Sequence, residues 1–182
     1  MDTASLFNSL KQYRKILVTG PQRSGTTITS RILAAESGYR CVDEQEFAWH
    51  DLRLFRALIS TPENMVIQCP SMSHLVEEFG QPENLVVFMQ RNPLDIIASE
   101  KRVRWKSERY GKKLYRGKVS YVFHWMTPLC ILKYLHWHFE QKPIIPSYVD
   151  LPYESLREHP LWIAKEKRSA FSAKQTFLPS AE

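Results

Sequence analysis

Gly20-Pro21-Gln22-Arg23-Ser24-Gly25-Thr26-Thr27 follows a short β-forming run, Ile16-Leu17-Val18-Thr19, and leads straight into residues with helical spacing. A strand-to-helix turn of this kind points successive backbone N–H groups, and the positive end of the helix, at one place where an anion is stable. The spacing G-x4-G followed by Thr-Thr is that of a phosphate-binding loop with one departure. Thr26 stands where such loops carry lysine, and Arg23 offers a cation from inside the loop instead. Gln22, Arg23, Ser24, Gly25, Thr26 and Thr27 are therefore expected to hold a phosphate-like group; the plainer reading of the same residues is a tight turn with a surface arginine. A nucleoside triphosphatase would also place an acidic residue at the end of a neighbouring strand to organise magnesium. The run Leu85 to Met89 ends instead in Gln90-Arg91.

Arg91 is itself a candidate. It closes an apolar strand-like run, and Ser99 lies about two turns into the helical segment that follows, so both can face the crevice at the carboxyl edge of an open α/β sheet. Together with the loop they predict a ligand carrying two separated anionic groups. Group transfer further requires a proton acceptor. Glu44 follows the second β-forming run, which puts it beside the loop at the same end of the sheet; Asp43 and Glu46 in the same acidic run are its rivals, and a solvated acidic loop is the plainer alternative. Of the six histidines, His74 follows the run that ends at Gln68-Cys69-Pro70 closely enough to line the crevice. His136 and His138, two apart in a helix, diverge and make a poor metal pair.

The elements that must position these groups alternate along the chain. Apolar β-forming runs at 16–19, 39–42, 65–67, 85–89 and 144–149 are separated by helical patterns, which predicts an α/β fold with a central parallel sheet of about five strands flanked by helices in three layers. The first crossover helix is expected from Thr26 to Ser37, closed by Gly38. Others are expected over 51–59 and from Pro93 onward. The longest candidate covers 120–141, with Val122, Phe123, Met126, Leu129, Leu132, Leu135 and Phe139 as its buried stripe and Pro128 as a kink.

A chain of 182 residues suits one domain spanning 1–182. No uncharged apolar run approaches the ~20 residues of a membrane span. Lys11, Arg14 and Lys15 precede any long apolar stretch, the reverse of a secretory leader, so the expected setting is cytoplasmic. Cys41, Cys69 and Cys130 are odd in number and far apart, giving neither a disulfide framework nor a metal pair. A net charge of +6 favours anionic partners. Residues 101–118 hold nine Lys or Arg with Trp105, Tyr110 and Tyr115 between them. They read as a lid over a phosphate, a gatherer of acidic acceptors, or a solvated charged face; nucleic acid is disfavoured because no recognised nucleic-acid module surrounds them.

TGPQRSGTT after the first strand and RNPLDIIAS after a later one resemble the 5′-phosphosulfate and 3′-phosphate motifs of sulfotransferases that use 3′-phosphoadenosine 5′-phosphosulfate (PAPS). The chain looks most like the tyrosylprotein sulfotransferases and the bacterial sulfotransferase group. Beside the Arg23–Thr27 loop it carries a Cys-x-x-Glu segment, Cys41-Val42-Asp43-Glu44, and a late Tyr153-Glu154-Ser155-Leu156 element with His159-Pro160 behind it. The resemblance implies a P-loop-type fold and transfer of a sulfuryl group from PAPS to a hydroxyl, or an amine, of an unidentified acceptor, releasing adenosine 3′,5′-bisphosphate (PAP). It also implies a 5′ site at Arg23–Thr27, a 3′-phosphate site at Arg91 and Ser99, Glu44 as general base, and no metal. One departure concerns charge. Related enzymes often carry lysine where the third strand ends, and Gln68 stands there; an amide donates hydrogen bonds but cannot neutralise charge. A noncatalytic nucleotide-binding protein on the same fold, and a P-loop nucleotide kinase, are the alternatives.

Overall fold

The computed structural model describes residues 3–47, 51–102 and 129–162. Its five strands are β1 (Lys15–Thr19), β2 (Arg40–Val42), β3 (Met65–Gln68), β4 (Asn84–Gln90) and β5 (Tyr148–Pro152). They form one sheet in the order β2-β3-β1-β4-β5, and every pairing is parallel. Parallel neighbours need crossovers; α2 (Thr26–Ser37), α3 (Leu52–Ser60), α4 (Pro93–Arg102) and α5 (Leu129–His136) lie in them, while α1 (Thr3–Ser9) precedes β1. This is an open, all-parallel α/β sheet.

β1 lies at the centre and is buried along its whole length, as a strand covered on both faces must be. Successive side chains enter opposite layers. Ile16, Val18, Leu85, Val87 and Met89 pack with Leu6, Leu10, Ile32 and Leu33 from the α1–α2 side. Leu17, Val86 and Phe88 pack on the other face with Phe55, Met72 and Trp137. The Phe88 and Trp137 rings stack at 4.4 Å between centroids and 6° between planes, and the Trp137 indole N–H donates to Asp150 Oδ1 at 2.7 Å. Local signals set the ends of the helices. Gly38 closes α2 at φ 75°, and the Asp51 carboxylate caps α3 by accepting from the N–H groups of Arg53 and Leu54.

Three expectations need correction. The fifth strand begins at Tyr148, not at Ile144, because Pro143 and Pro146 bracket that pair and Pro146 has no N–H to give a ladder; Ile144 is 65% exposed. The helix from Leu129 turns a different face inward: Leu135 and Phe139 are exposed, while Leu129, Cys130, Leu132, Lys133 and His136 are buried. Its last residues, Trp137–Gln141, widen into a π turn that carries Trp137 onto Phe88. Finally, α1 was not among the expected helices. The expected helical residues 120–128, the Pro128 kink and most of the basic stretch 101–118 lie outside the described residues, as does the terminal segment 165–175.

The inward face of α5 is testable by truncation. Trp137→Ala should cost roughly 3–5 kcal/mol in urea unfolding, and Leu135→Ala less than about 0.5 kcal/mol. A larger loss at Leu135 than at Trp137 would contradict this orientation.

Candidate functional site

β1 has β3 on one side and β4 on the other, so the chain leaves its carboxyl end where crossovers diverge in two directions, the place where open α/β sheets bind ligands. The loop there is held by close packing. Gly20 has φ 126°, and a Cβ on it would lie 3.1 Å from the Met89 backbone. Gly25 has φ 102°, and a Cβ there would lie 2.3 Å from the Tyr153 ring, so only glycine lets the late Tyr153 element close over the loop. Arg23 takes a left-handed conformation with φ 67°, a sparsely populated state for a residue with a side chain. The buried Ser24 is used internally, its hydroxyl donating to the Pro21 carbonyl at 2.6 Å. Gly25 gives α2 no side-chain cap, so the first amides of α2 point into the crevice with no side chain satisfying them.

Positive charge collects around this turn. Arg23 Nε donates to Ser99 Oγ at 3.2 Å, and Arg102 Nη2 approaches the same hydroxyl at 3.5 Å. Arg91 Nη1 donates to the Arg23 carbonyl at 2.7 Å, and its guanidinium lies 4.3 Å from the centre of the Tyr153 ring. The Arg91 backbone is pinned by the Tyr134 hydroxyl, which accepts from its N–H at 2.8 Å and donates to its carbonyl at 2.7 Å. Among the described residues none of the three arginines forms an ion pair. Burial, followed by repulsion from Arg102 and Arg91, holds the Arg23 pKa below its ordinary value. Glu100 offsets part of this repulsion, and an anion bound among the arginines would relieve more of it.

On the β3 side, Gln68 Nε2 donates to Thr26 Oγ1 at 3.3 Å and to Thr27 Oγ1 at 3.1 Å. Glu44 lies just past β2, and its Oε1 accepts from the Ser71 N–H at 2.6 Å. Burial raises the Glu44 pKa against the Ser71 hydrogen bonds and the nearby Lys133 charge. Asp43 and Glu46 turn elsewhere: Asp43 Oδ1 accepts from Gln45 N–H, and Glu46 forms an exposed ion pair with Arg40. His74 is half-buried between the 3-10 turns Pro70–Met72 and Val76–Glu78. The loop, Arg91, Ser99 and Glu44 thus lie at one edge of the sheet, and His74 sits in the segment after β3.

Sequence reasoning missed Lys133. It projects from α5 with 1% exposure, and its ammonium donates to Gln22 Oε1 at 2.6 Å, to the Gly20 carbonyl at 3.4 Å and to the Pro70 carbonyl. Burial lowers its pKa to about 7 against the opposing pull of Glu44. The signal was present as a lone lysine on an apolar helix stripe, once the stripe is phased on Leu129, Leu132 and His136 rather than on Leu135 and Phe139.

No family model matches this sequence, and no curated protein does. Among solved structures, a shikimate kinase from Acinetobacter baumannii in complex with shikimate is similar at a TM-score of 0.46 and 14% identity, over 80% of this chain and 87% of that one. A likeness this remote carries no argument about activity. The described residues include no helix long and apolar enough to cross a membrane.

The Lys133 shift has a consequence for stability. Lys133 keeps its proton up to 10.5 in the unfolded chain but only up to about 7 in the folded one. The unfolded state therefore binds more protons in that window, and stability from this group rises with pH across it. The stability difference between Lys133→Met and wild type should accordingly shift toward wild type between about pH 7 and pH 10 in urea midpoints. A difference that stays level with pH would show that the lysine does not titrate there.

Proposed function

We propose that this chain is a sulfotransferase moving the sulfuryl group of PAPS to a hydroxyl of an acceptor not yet identified. The observation that carries the reading is the cluster in which Arg23 and Arg102 reach Ser99 and Arg91 holds the Arg23 carbonyl, beside the uncapped start of α2. A donor with phosphate groups at both its 3′ and 5′ positions would set one against the uncapped start of α2 and the other against Arg91 and Ser99. The resemblance of TGPQRSGTT and RNPLDIIAS to sulfotransferase motifs supports the same assignment.

In this reading Arg23, Thr26 and Thr27 with the loop amides bind the 5′ side, and Arg91 with Ser99 binds the 3′-phosphate. The acceptor oxygen attacks sulfur, the bond from sulfur to the 5′-phosphate oxygen breaks, and the hydroxyl proton passes to Glu44. A carboxylate with a raised pKa is a better base than an ordinary one, which suits Glu44 to that role. Donors aimed at the leaving phosphate stabilise the charge that grows there. Gln68 donates to the hydroxyls of Thr26 and Thr27, a neutral substitute at the end of β3.

One observation favours a second reading, a nucleotide kinase of the same fold class. Lys133 brings an ammonium to the loop, so threonine at position 26 no longer separates the two classes. The strands flanking β1 still end in Gln68 and Gln90, amides in place of a carboxylate for magnesium. A noncatalytic nucleotide-binding protein would share the binding site and lack turnover.

Calorimetric titration with PAP against ATP plus magnesium separates the readings. PAP should bind the more tightly, and Arg23→Ala and Arg91→Ala should each weaken it by roughly tenfold or more. Tighter ATP binding that depends on magnesium would select the kinase. Glu44→Gln should lower turnover of bound PAPS by a factor of about a hundred or more, well beyond any change in PAP affinity.

A further inference from the structure

Lys133 ties together two segments that are far apart in the chain. Gly20 and Gln22 belong to the loop after β1, whereas Pro70 opens the turn after β3. The residue after Pro70 is Ser71, whose N–H holds the Glu44 carboxylate. A single ammonium thus fastens the anion loop to the segment that fixes the candidate base. An apolar side chain of the same length would fill this place at lower cost, since burying an ammonium forfeits its hydration.

We propose that Lys133 is a positioning residue of the anion site: its charged ammonium clasps Gln22 and Gly20 against the Pro70 turn and supplies from α5 the fixed positive charge that the loop lacks at position 26. The inference rests on reading the loop as an anion site and not on which nucleotide occupies it. The groups that face the ammonium are Glu44 beyond β2, Cys69 beyond β3, Glu100 on α4 and Cys130 on α5 itself. The thiols of Cys69 and Cys130 are pushed up by burial, the latter to about 11, so both stay neutral near pH 7. Glu44 and Glu100 favour the charged lysine, and burial opposes it. The clasp is charged at acidic pH and neutral at alkaline pH, with its change centred near the value of about 7. Anion affinity therefore falls as pH rises.

Inorganic sulfate is the suitable probe, because it stays dianionic throughout and its binding does not presuppose a nucleotide. In NMR titrations at constant ionic strength, wild-type affinity should weaken roughly tenfold from about pH 6 to about pH 9. Lys133→Met should bind sulfate more weakly by a similar factor at the acidic end and show no slope, with a cooperative melt reporting that it is folded. A folded Lys133→Met that keeps wild-type affinity or wild-type slope overturns the proposal. Should that variant fail to fold, Gln22→Ala decides: removing the acceptor should lower sulfate affinity at least about threefold at the acidic end, and an unchanged affinity overturns the clasp. Parallel titration with PAP keeps the two readings apart. A Lys133-dependent sulfate response without PAP binding retains the clasp and sinks the sulfotransferase assignment, whereas PAP binding indifferent to Lys133 does the reverse.

Discussion

Positive charge crowded at the carboxyl edge of the sheet is the constraint around which the rest of this structure is arranged. Arg23 and Arg102 reach one serine hydroxyl, Arg91 holds the Arg23 carbonyl, and Lys133 is sealed behind the loop. Each position is costly by itself: the arginines repel one another, and the lysine has surrendered its water. Such an arrangement persists only when other interactions hold it in place. The Arg91 backbone is clamped in both directions by Tyr134, its guanidinium lies over the face of Tyr153, and Ser99 accepts from Arg23. The stability that the core provides is partly spent on a site prepared for negative charge.

The late part of the chain is what closes that site. Tyr153 follows β5 at the far edge of the sheet, yet its ring touches Gly25 on the first loop and stacks beneath Arg91. Trp162 packs against it at 4.7 Å, and His159 reaches back to Glu36 at the end of α2. Residues from three strand ends therefore meet at one point only when the sheet is complete. That couples the geometry of the binding loop to the cooperative fold, and it explains why Gly25 admits no side chain.

Much of the architecture was legible because it rests on local signals. α2 runs from Thr26 to Ser37 between two glycines, as its spacing and Gly38 indicate, and Asp51 marks the start of α3 by capping it. Central strands read clearly because strands buried on both faces are continuous apolar runs. The failures have a common physical cause. Leu135 and Phe139 were assigned to the interior on apolarity alone, but a helix is rotated by what it packs against, and here the ring of Phe88 and the loop carbonyls draw Trp137 and Lys133 inward instead. Ile144-Ile145 looked like strand until the prolines on both sides are weighed. In the site, the loop residues, Arg91 and Ser99 are readable from motif spacing; Lys133 shows only as a lone lysine on an apolar helix stripe, because no spacing links residue 133 to residue 20.

That last omission bears on how the missing lysine should be understood. Spacing motifs record a charge by its position in the chain, whereas an anion responds only to where the charge sits in space. Thr26 and Gln68 are both neutral where a cation is usual, and they are joined by a hydrogen bond, so the two departures form one substitution: a polar neutral pair at the start of α2. The positive charge removed there is present a short distance behind, carried by α5 and aimed at the same loop. A helix-borne lysine differs from a loop lysine in being fully enclosed, so its charge is set first by burial and then by its neighbours, Glu44 ahead of the others. The candidate base and the relocated cation consequently form one electrostatic unit, in which changing the protonation of either changes the field that the other provides.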